Sequence, residues 1–213
     1  MIVRDNMESN QHIIICIGRQ QGSGGHEIAR MLAKDFNAKY YDKELLNLAA
    51  KESGFAEKMF EEYDERKGFL KSLFSLQTTY LSGGIYHSKI SQESLFQFQS
   101  DAIRKAAAEG NCVFVGRCAD YILRDMPNVV SVFISASIRD RIEKILACKA
   151  VTPQEAKRMI LEAEGRRASY YNFFTGKKWG VAESYDLCVN SSVLGVSETE
   201  KLITGFIRKR FGL

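Results

Sequence analysis

Apolar and polar positions along the chain switch repeatedly between two periods. Residues 13–17 (IIICI) are too short to span a membrane and too unbroken for a half-exposed strand, so they predict a parallel strand covered on both faces. Ile28, Met31, Leu32 and Phe36 then recur at helical spacing. Lys39-Tyr40-Tyr41 predicts a second strand, and 43–51 a helix with Leu45, Leu46 and Ala49 inward, closed by Gly54. A helix over 94–109 leads to a third strand at 112–115 (CVFV). A fourth strand at 129–135 precedes a helix carrying Ile142, Ile145 and Leu146, and 187–190 (LCVN) is a fifth. Thr152-Pro153-Gln154-Glu155 starts a helix with a hydroxyl cap, a proline and a reciprocal glutamate, and Ala156, Met159, Ile160 and Ala163 are its inward face. Ser197-Glu198-Thr199-Glu200 reads as a second capping box, before a closing helix with Leu202, Ile203, Phe206 and Ile207 inward. Strands alternating with helices predict a five-stranded parallel sheet, helices on both faces and right-handed connections.

The pattern loosens over 55–99 into mixed-charge, aromatic helical sequence broken at Gly83-Gly84. This predicts a helical insertion, read either as a mobile lobe over a site or as static packing or a dimer face, so a homo-oligomer is compatible with it. The 213 residues otherwise predict a single domain.

Composition narrows the function classes. An apolar content of 45%, a charged content of 26% and a net charge of +4 describe an ordinary globule able to bind a polyphosphate. No Lys/Arg block is interleaved with aromatics, so no nucleic-acid partner is expected. Nor does any run reach the ~18 apolar residues of a membrane span. The five cysteines lack a C-x-x-C pair, and Cys16, Cys112 and Cys188 fall in apparent strands as small buried hydrophobes. A reducing, cytoplasmic location is expected.

The chemistry starts at Gly22-Ser23-Gly24-Gly25, between the first strand and the first helix. There, backbone N–H groups can surround an anion at the positive end of a helix; the plainer reading is a flexible turn. Against the phosphate loop G-x-x-x-x-G-K-[ST], Gly25 stands in place of the lysine and His26 in place of the hydroxyl. Asp42, ending the second strand, is either a helix cap or a substrate contact at the carboxyl edge of the sheet. Arg117, after Gly116 at the end of the third strand, points into the same crevice and either grips a phosphate or forms a salt bridge. Arg166 and Arg167, placed at a helix end before an aromatic, Gly-punctuated loop, either complement the helix dipole or close over a transferring phosphate.

The segments GRQQGSGGHEIARMLA, KYYDKELL, VFVGRCADYIL, VFISASIRDRIEKI, EGRRASYYNFFTGKKWG and SYDLCVNSSVLGVSE, in this order, resemble the cytidylate kinase-like family of P-loop nucleoside monophosphate kinases. The resemblance implies a P-loop NTPase-like three-layer α/β/α fold with a lid over 150–180. It also implies ATP- and Mg2+-dependent phosphoryl transfer to a nucleoside monophosphate, CMP and dCMP among the candidates, or to another small acceptor. Gly22, Ser23, Gly24, Gly25 and His26 then hold donor phosphates, joined by Arg19, which with His26 is expected to compensate for the missing side chains. Asp42, Arg117 and Asp120 face the acceptor, and Arg117 with Arg166 or Arg167 is catalytic. The Mg2+ ligands are not identified, because Cys118 stands where the family's G-R-D segment has an acid. Two other readings remain open. One is a nucleotide-binding sensor that has lost transfer chemistry with the lysine. The other is a nicotinamide-dependent oxidoreductase with Asp42 on a ribose, against which the glycine spacing argues.

Overall fold

The apolar run of the first strand becomes β1 (Ile14–Arg19), the middle of a five-stranded all-parallel sheet ordered β2-β3-β1-β4-β5. The structure is a computed structural model that describes residues 12–42 and 92–213. Its contacts divide the chain into one unit of residues 1–43 and 103–213 and another of 44–102. The sheet and the candidate site belong to the first unit. The helix expected over 43–51 and the part of the 55–99 insertion up to residue 91 lie outside the described residues.

The remaining elements follow in chain order as α1 (Gly25–Asp35), β2 (Lys39–Tyr41), α2 (Gln92–Glu109), β3 (Cys112–Val115), α3 (Ala119–Ile122) and β4 (Val129–Ser135). Then come α4 (Ile138–Cys148), α5 (Pro153–Thr175), β5 (Leu187–Asn190) and α6 (Ser191–Phe211). Alternation along the strands sorts side chains onto two faces. Ile15, Ile17, Val113, Val115, Val132 and Ile134 form one core with Ile28 and Leu32 of α1 and Ile203 and Ile207 of α6. On the other face Phe133 packs on Tyr185, which stacks on Tyr171 of α5, and the Tyr171 hydroxyl reaches Asp120 of α3. The chain therefore leaves β1 toward one face and β3 toward the other. A crevice opens between two such strand ends.

β1 overruns its expected end by two residues. Ile17 is the last residue in register with β3, opposite Val115, while Gly18 and Arg19 continue alongside Phe133 and Ile134 of β4. Arg19 is thus carried on a strand rather than on the turn. The capping box at Thr152 forms as expected, with Glu155 N–H donating to the Thr152 hydroxyl and the Glu155 carboxylate accepting from Thr152 N–H.

Four expectations are corrected. Arg166 and Arg167 do not end a helix, because α5 runs on through the aromatic stretch to Thr175 and stops at Gly176 (φ 68°). The closing helix starts not at Ser197 but at Ser191, where Asn190 accepts from Ser192 N–H; Gly195 (φ 76°, ψ 171°) then kinks it. Leu202 is 44% exposed rather than inward. Cys188 is exposed, because β5 is an edge strand and its residues alternate between half-buried and exposed. Cys16 and Cys112 are buried as expected.

Candidate functional site

The turn after β1 is held from behind. Gln20 N–H donates to Ile134 O (3.0 Å), and its side-chain oxygen accepts from Ala136 N–H (3.1 Å). The Ser23 hydroxyl donates to Gln20 O (3.0 Å), and the Ser191 hydroxyl donates to Ser23 O (2.8 Å), fastening the turn to the start of α6. Gly22 (φ 82°) and Gly24 (φ 75°) take the left-handed conformation the turn needs. No side chain caps α1 at Gly24, so the first N–H groups of α1 open toward the cleft.

That cleft, of about 480 Å3, is lined by the turn together with Arg19, Arg30, Lys144 and Arg167. Arg19 sits in its wall. One of its terminal nitrogens lies 3.2 Å from His26 Nε2, and His26 Nδ1 lies 2.9 Å from the Tyr40 hydroxyl. A guanidinium only donates, so Nε2 accepts and Nδ1 carries the proton toward Tyr40. The Nε of Arg19 is buried with no hydrogen-bond partner among the described residues. Burial, then the charges of Arg167 and Arg117, lower the Arg19 guanidinium to about 9. His26 is lowered to about 4, first by burial and then by the Arg19 charge, which leaves its ring neutral at pH 7.

Helix α5 brings Arg167 across the turn. It donates to Arg19 O (3.3 Å) and to the Gln21 side-chain oxygen (2.6 Å). Three residues earlier, Glu164 holds Arg141 of α4 in an ion pair whose side chains are 16% and 7% exposed. The backbone of Arg141 lies directly beneath Gly22, where a Cβ would come within 2.8 Å of its carbonyl oxygen. The pair therefore ties α4, α5 and the turn together. Arg166 points elsewhere, on the exposed side of α5.

At the end of β3, Gly116, Arg117 and Cys118 are consecutively left-handed, with φ of 78°, 61° and 56°. For the two non-glycine residues this conformation costs about 1–3 kcal/mol each, a strain that collects at functional sites. It turns the Arg117 guanidinium over the Tyr170 ring, 5.6 Å from its centroid. Asp120 accepts from the Tyr171 hydroxyl at 2.7 Å, and burial raises its carboxyl above the ordinary value, with Tyr171 and Lys177 opposing. Asp42 follows Tyr41 at the end of β2, and its charge is felt at both Arg19 and His26.

The structure thus gathers Arg19, His26, Gly22–Gly25 and Arg167 around one cleft, with Arg117 and Asp42 within electrostatic reach of Arg19. Asp120 is instead engaged by α5, and Arg166 stands apart. Arg30, Lys144 and Gln21 line the cleft unforeseen. Only the cationic helix faces carrying Arg30 and Lys144 could have signalled them, and Glu27 engages Lys144 at 3.0 Å.

Comparisons with known proteins agree with this fold. A model of the cytidylate kinase-like family matches residues 14–193. Cytidylate kinases from Sulfurisphaera tokodaii and Pyrococcus horikoshii are each 24% identical, covering 92% and 84% of this chain and 95% and 80% of their own lengths. A crystal structure of an uncharacterized protein from Eubacterium ventriosum superposes with a TM-score of 0.70 at 29% identity, over 92% of this chain and 98% of that one. A gluconokinase from Sinorhizobium meliloti (TM-score 0.53, 11% identity, 94% of each chain) and a shikimate kinase from Bacteroides thetaiotaomicron (0.50, 12%, 94% and 99%) share the three-layer α/β/α fold. With 14–193 spanning the sheet, the turn and α5, the chain belongs to the cytidylate kinase-like family.

Proposed function

We propose that this protein is an ATP-dependent phosphotransferase whose acceptor is a nucleoside monophosphate, with CMP and dCMP the first candidates, or another small molecule. The observation that carries the reading is the convergence on one cleft of the left-handed Gly22 and Gly24 turn, an uncapped helix start, and the Arg19 and Arg167 guanidinium groups. Such a concentration of donors is costly unless an anion completes it.

The residues fit a polyphosphate. N–H groups from the turn and the start of α1 hold the donor phosphates, and Arg19 and Arg167 neutralise charge on the transferring group. Arg117, across the crevice, meets the acceptor phosphate and aligns it. Catalysis of this kind is positional and electrostatic. Asp42 contacts the acceptor from the end of β2, while Asp120 sets the position of α5 through Tyr171. Arg166, exposed on α5, reaches the phosphates only if that helix moves inward.

A resident Mg2+ does not fit equally well. His26 replaces the hydroxyl, and its nitrogens are already engaged by Arg19 and Tyr40, whereas Mg2+ prefers oxygen ligands. Mg2+ carried in on the phosphates would share charge neutralisation with the arginines and backbone N–H groups.

The cysteines are free thiols, which supports a cytoplasmic setting. No helix among the described residues is long and apolar enough to cross a membrane. The test is a calorimetric titration with ATP, followed by multiple-turnover assays against a panel of nucleoside monophosphates, nucleosides and small phosphorylated metabolites. Consumption of one acceptor supports the proposal. ATP binding with silence across the panel favours the sensor reading, which the glycine in place of the lysine keeps alive.

A further inference from the structure

Position 25 has no room for a lysine. A Cβ there would lie 2.6 Å from Arg19 Cβ and 2.9 Å from its Cγ, closer than real Cβ atoms come. Arg19 closes position 116 in the same way, because a Cβ on Gly116 would overlap Nη1 of the guanidinium. One arginine therefore fills, from stem to tip, a slot whose two narrow walls are glycines. The first wall belongs to the phosphate turn and the second to the Gly116-Arg117 turn on the acceptor side. Within the slot Nη2 meets His26, which is neutral and accepts, while Nε has no hydrogen-bond partner among the described residues.

We propose that Arg19 replaces the phosphate-loop lysine. Reaching in from the end of β1, its guanidinium is the cation that grips the terminal phosphate of a nucleoside triphosphate, and Gly25 and Gly116 are small so that it can enter. The proposal deepens the phosphotransferase reading and takes from it only the identity of the anion. It accounts together for a glycine where the phosphate loop has its lysine and an arginine at the end of β1, since both side chains claim the space beside residue 25. Burial, then the charges of Arg167 and Arg117, lower the Arg19 guanidinium to about 9, which keeps it cationic at pH 7 and leaves some repulsion that a bound phosphate would relieve. A guanidinium between the two turns can also bridge the donor and acceptor sides with separate N–H groups, as a lysine ammonium cannot do in a planar fork.

The test is calorimetric titration of ATP and ADP into the whole protein and four variants, each checked for folding by thermal unfolding. Arg19→Gln keeps most of the stem and removes the charge. It is expected to weaken ATP roughly tenfold to hundredfold, the scale of one charged hydrogen bond, and ADP far less. Arg19→Lys, which keeps the charge, is expected to retain most of the preference for ATP over ADP. Gly25→Lys alone collides with Arg19 and is expected to weaken ATP. The paired change Arg19→Gly with Gly25→Lys removes the collision and is expected to recover affinity to within about tenfold of the unmutated protein.

An unchanged ATP affinity in Arg19→Gln overturns the proposal, as does an equal loss for ATP and ADP, which would mean that Arg19 only shapes the turn. Gly25→Lys binding ATP more tightly without a change at Arg19 overturns it too, as does failure of the unmutated protein to bind ATP. Arg19-dependent ATP binding without turnover upholds Arg19 and removes the kinase reading. Turnover with binding indifferent to Arg19 does the reverse.

Discussion

Replacing Glu164 by alanine should destabilise the protein by about 3 kcal/mol, the lower end of the cost of orphaning one member of a buried ion pair. The magnitude follows from the surroundings of Arg141, whose side chain is 7% exposed and whose Nε is already buried with no hydrogen-bond partner among the described residues. Glu164 supplies its hydrogen bond, so the substitution leaves a buried guanidinium with its charge uncompensated. For a chain of this size about 3 kcal/mol corresponds to a fall in Tm of roughly 6–12 °C. The loss should reach the cleft as well, because Arg141 lies beneath Gly22 and Glu164 is one helical turn from Arg167. ATP affinity should therefore fall in Glu164→Ala even though Glu164 does not line the cleft. The double change Arg141→Leu with Glu164→Leu removes both charges and should recover most of the stability. Urea denaturation and thermal unfolding of the three proteins measure this. A loss below about 1 kcal/mol in the single variant, or a double variant at least as unstable as the single one, would refute the reasoning.

Other predictions follow from single contacts. Tyr171→Phe removes a hydrogen bond to a carboxylate and should cost about 2 kcal/mol in chemical denaturation. Gly22→Ala should lower both Tm and ATP affinity, since φ is 82° and the new Cβ would meet the Arg141 carbonyl. The His26 imidazole is lowered from 6.5 to about 4, so the unfolded chain binds more protons between those values. Its contribution to stability is whole above about 6.5 and is lost as pH falls toward 4, and His26→Gln should flatten the pH–stability curve in that window.

Much of the fold is legible because the strands announce themselves locally. The runs 112–115 and 129–135 are apolar enough that only a covered strand accommodates them, and Thr152-Pro153 fixes a helix start by its own chemistry. The errors arise where local signals compete. Residues 170–174 read as an aromatic loop, yet Tyr171 is buried against Tyr185 while Phe173 is 66% exposed, an alternation a helix supplies. The Ser197 pattern is a plausible cap, but Asn190 acts first and Gly195 only kinks what has begun. Leu202 has the right spacing for the inward face and still emerges beside Val193 and Leu194, at the edge of the sheet.

The candidate site is legible as a set of residue types but not as an arrangement. Gly25 reads as a missing lysine when the chain is a line. Only the folded chain shows Arg19, six residues earlier, in the space a side chain there would need. Gly116 likewise reads as a permissive turn residue, though its neighbour across the crevice is that same guanidinium. Arg166 and Arg167 are indistinguishable as a pair, and helix phase separates them: one is exposed and the other is bonded to the turn.

The most direct test of the account is phosphorus NMR of ATP mixed with nucleoside monophosphates, nucleosides and small phosphorylated metabolites under multiple turnover, with the unmutated protein and Arg117→Ala side by side. The account predicts ADP together with one newly phosphorylated acceptor from the unmutated protein. It predicts transfer slower by at least about tenfold from an Arg117→Ala variant that still melts at the same temperature. ATP left intact by the unmutated protein, or equal rates from the two, would contradict it.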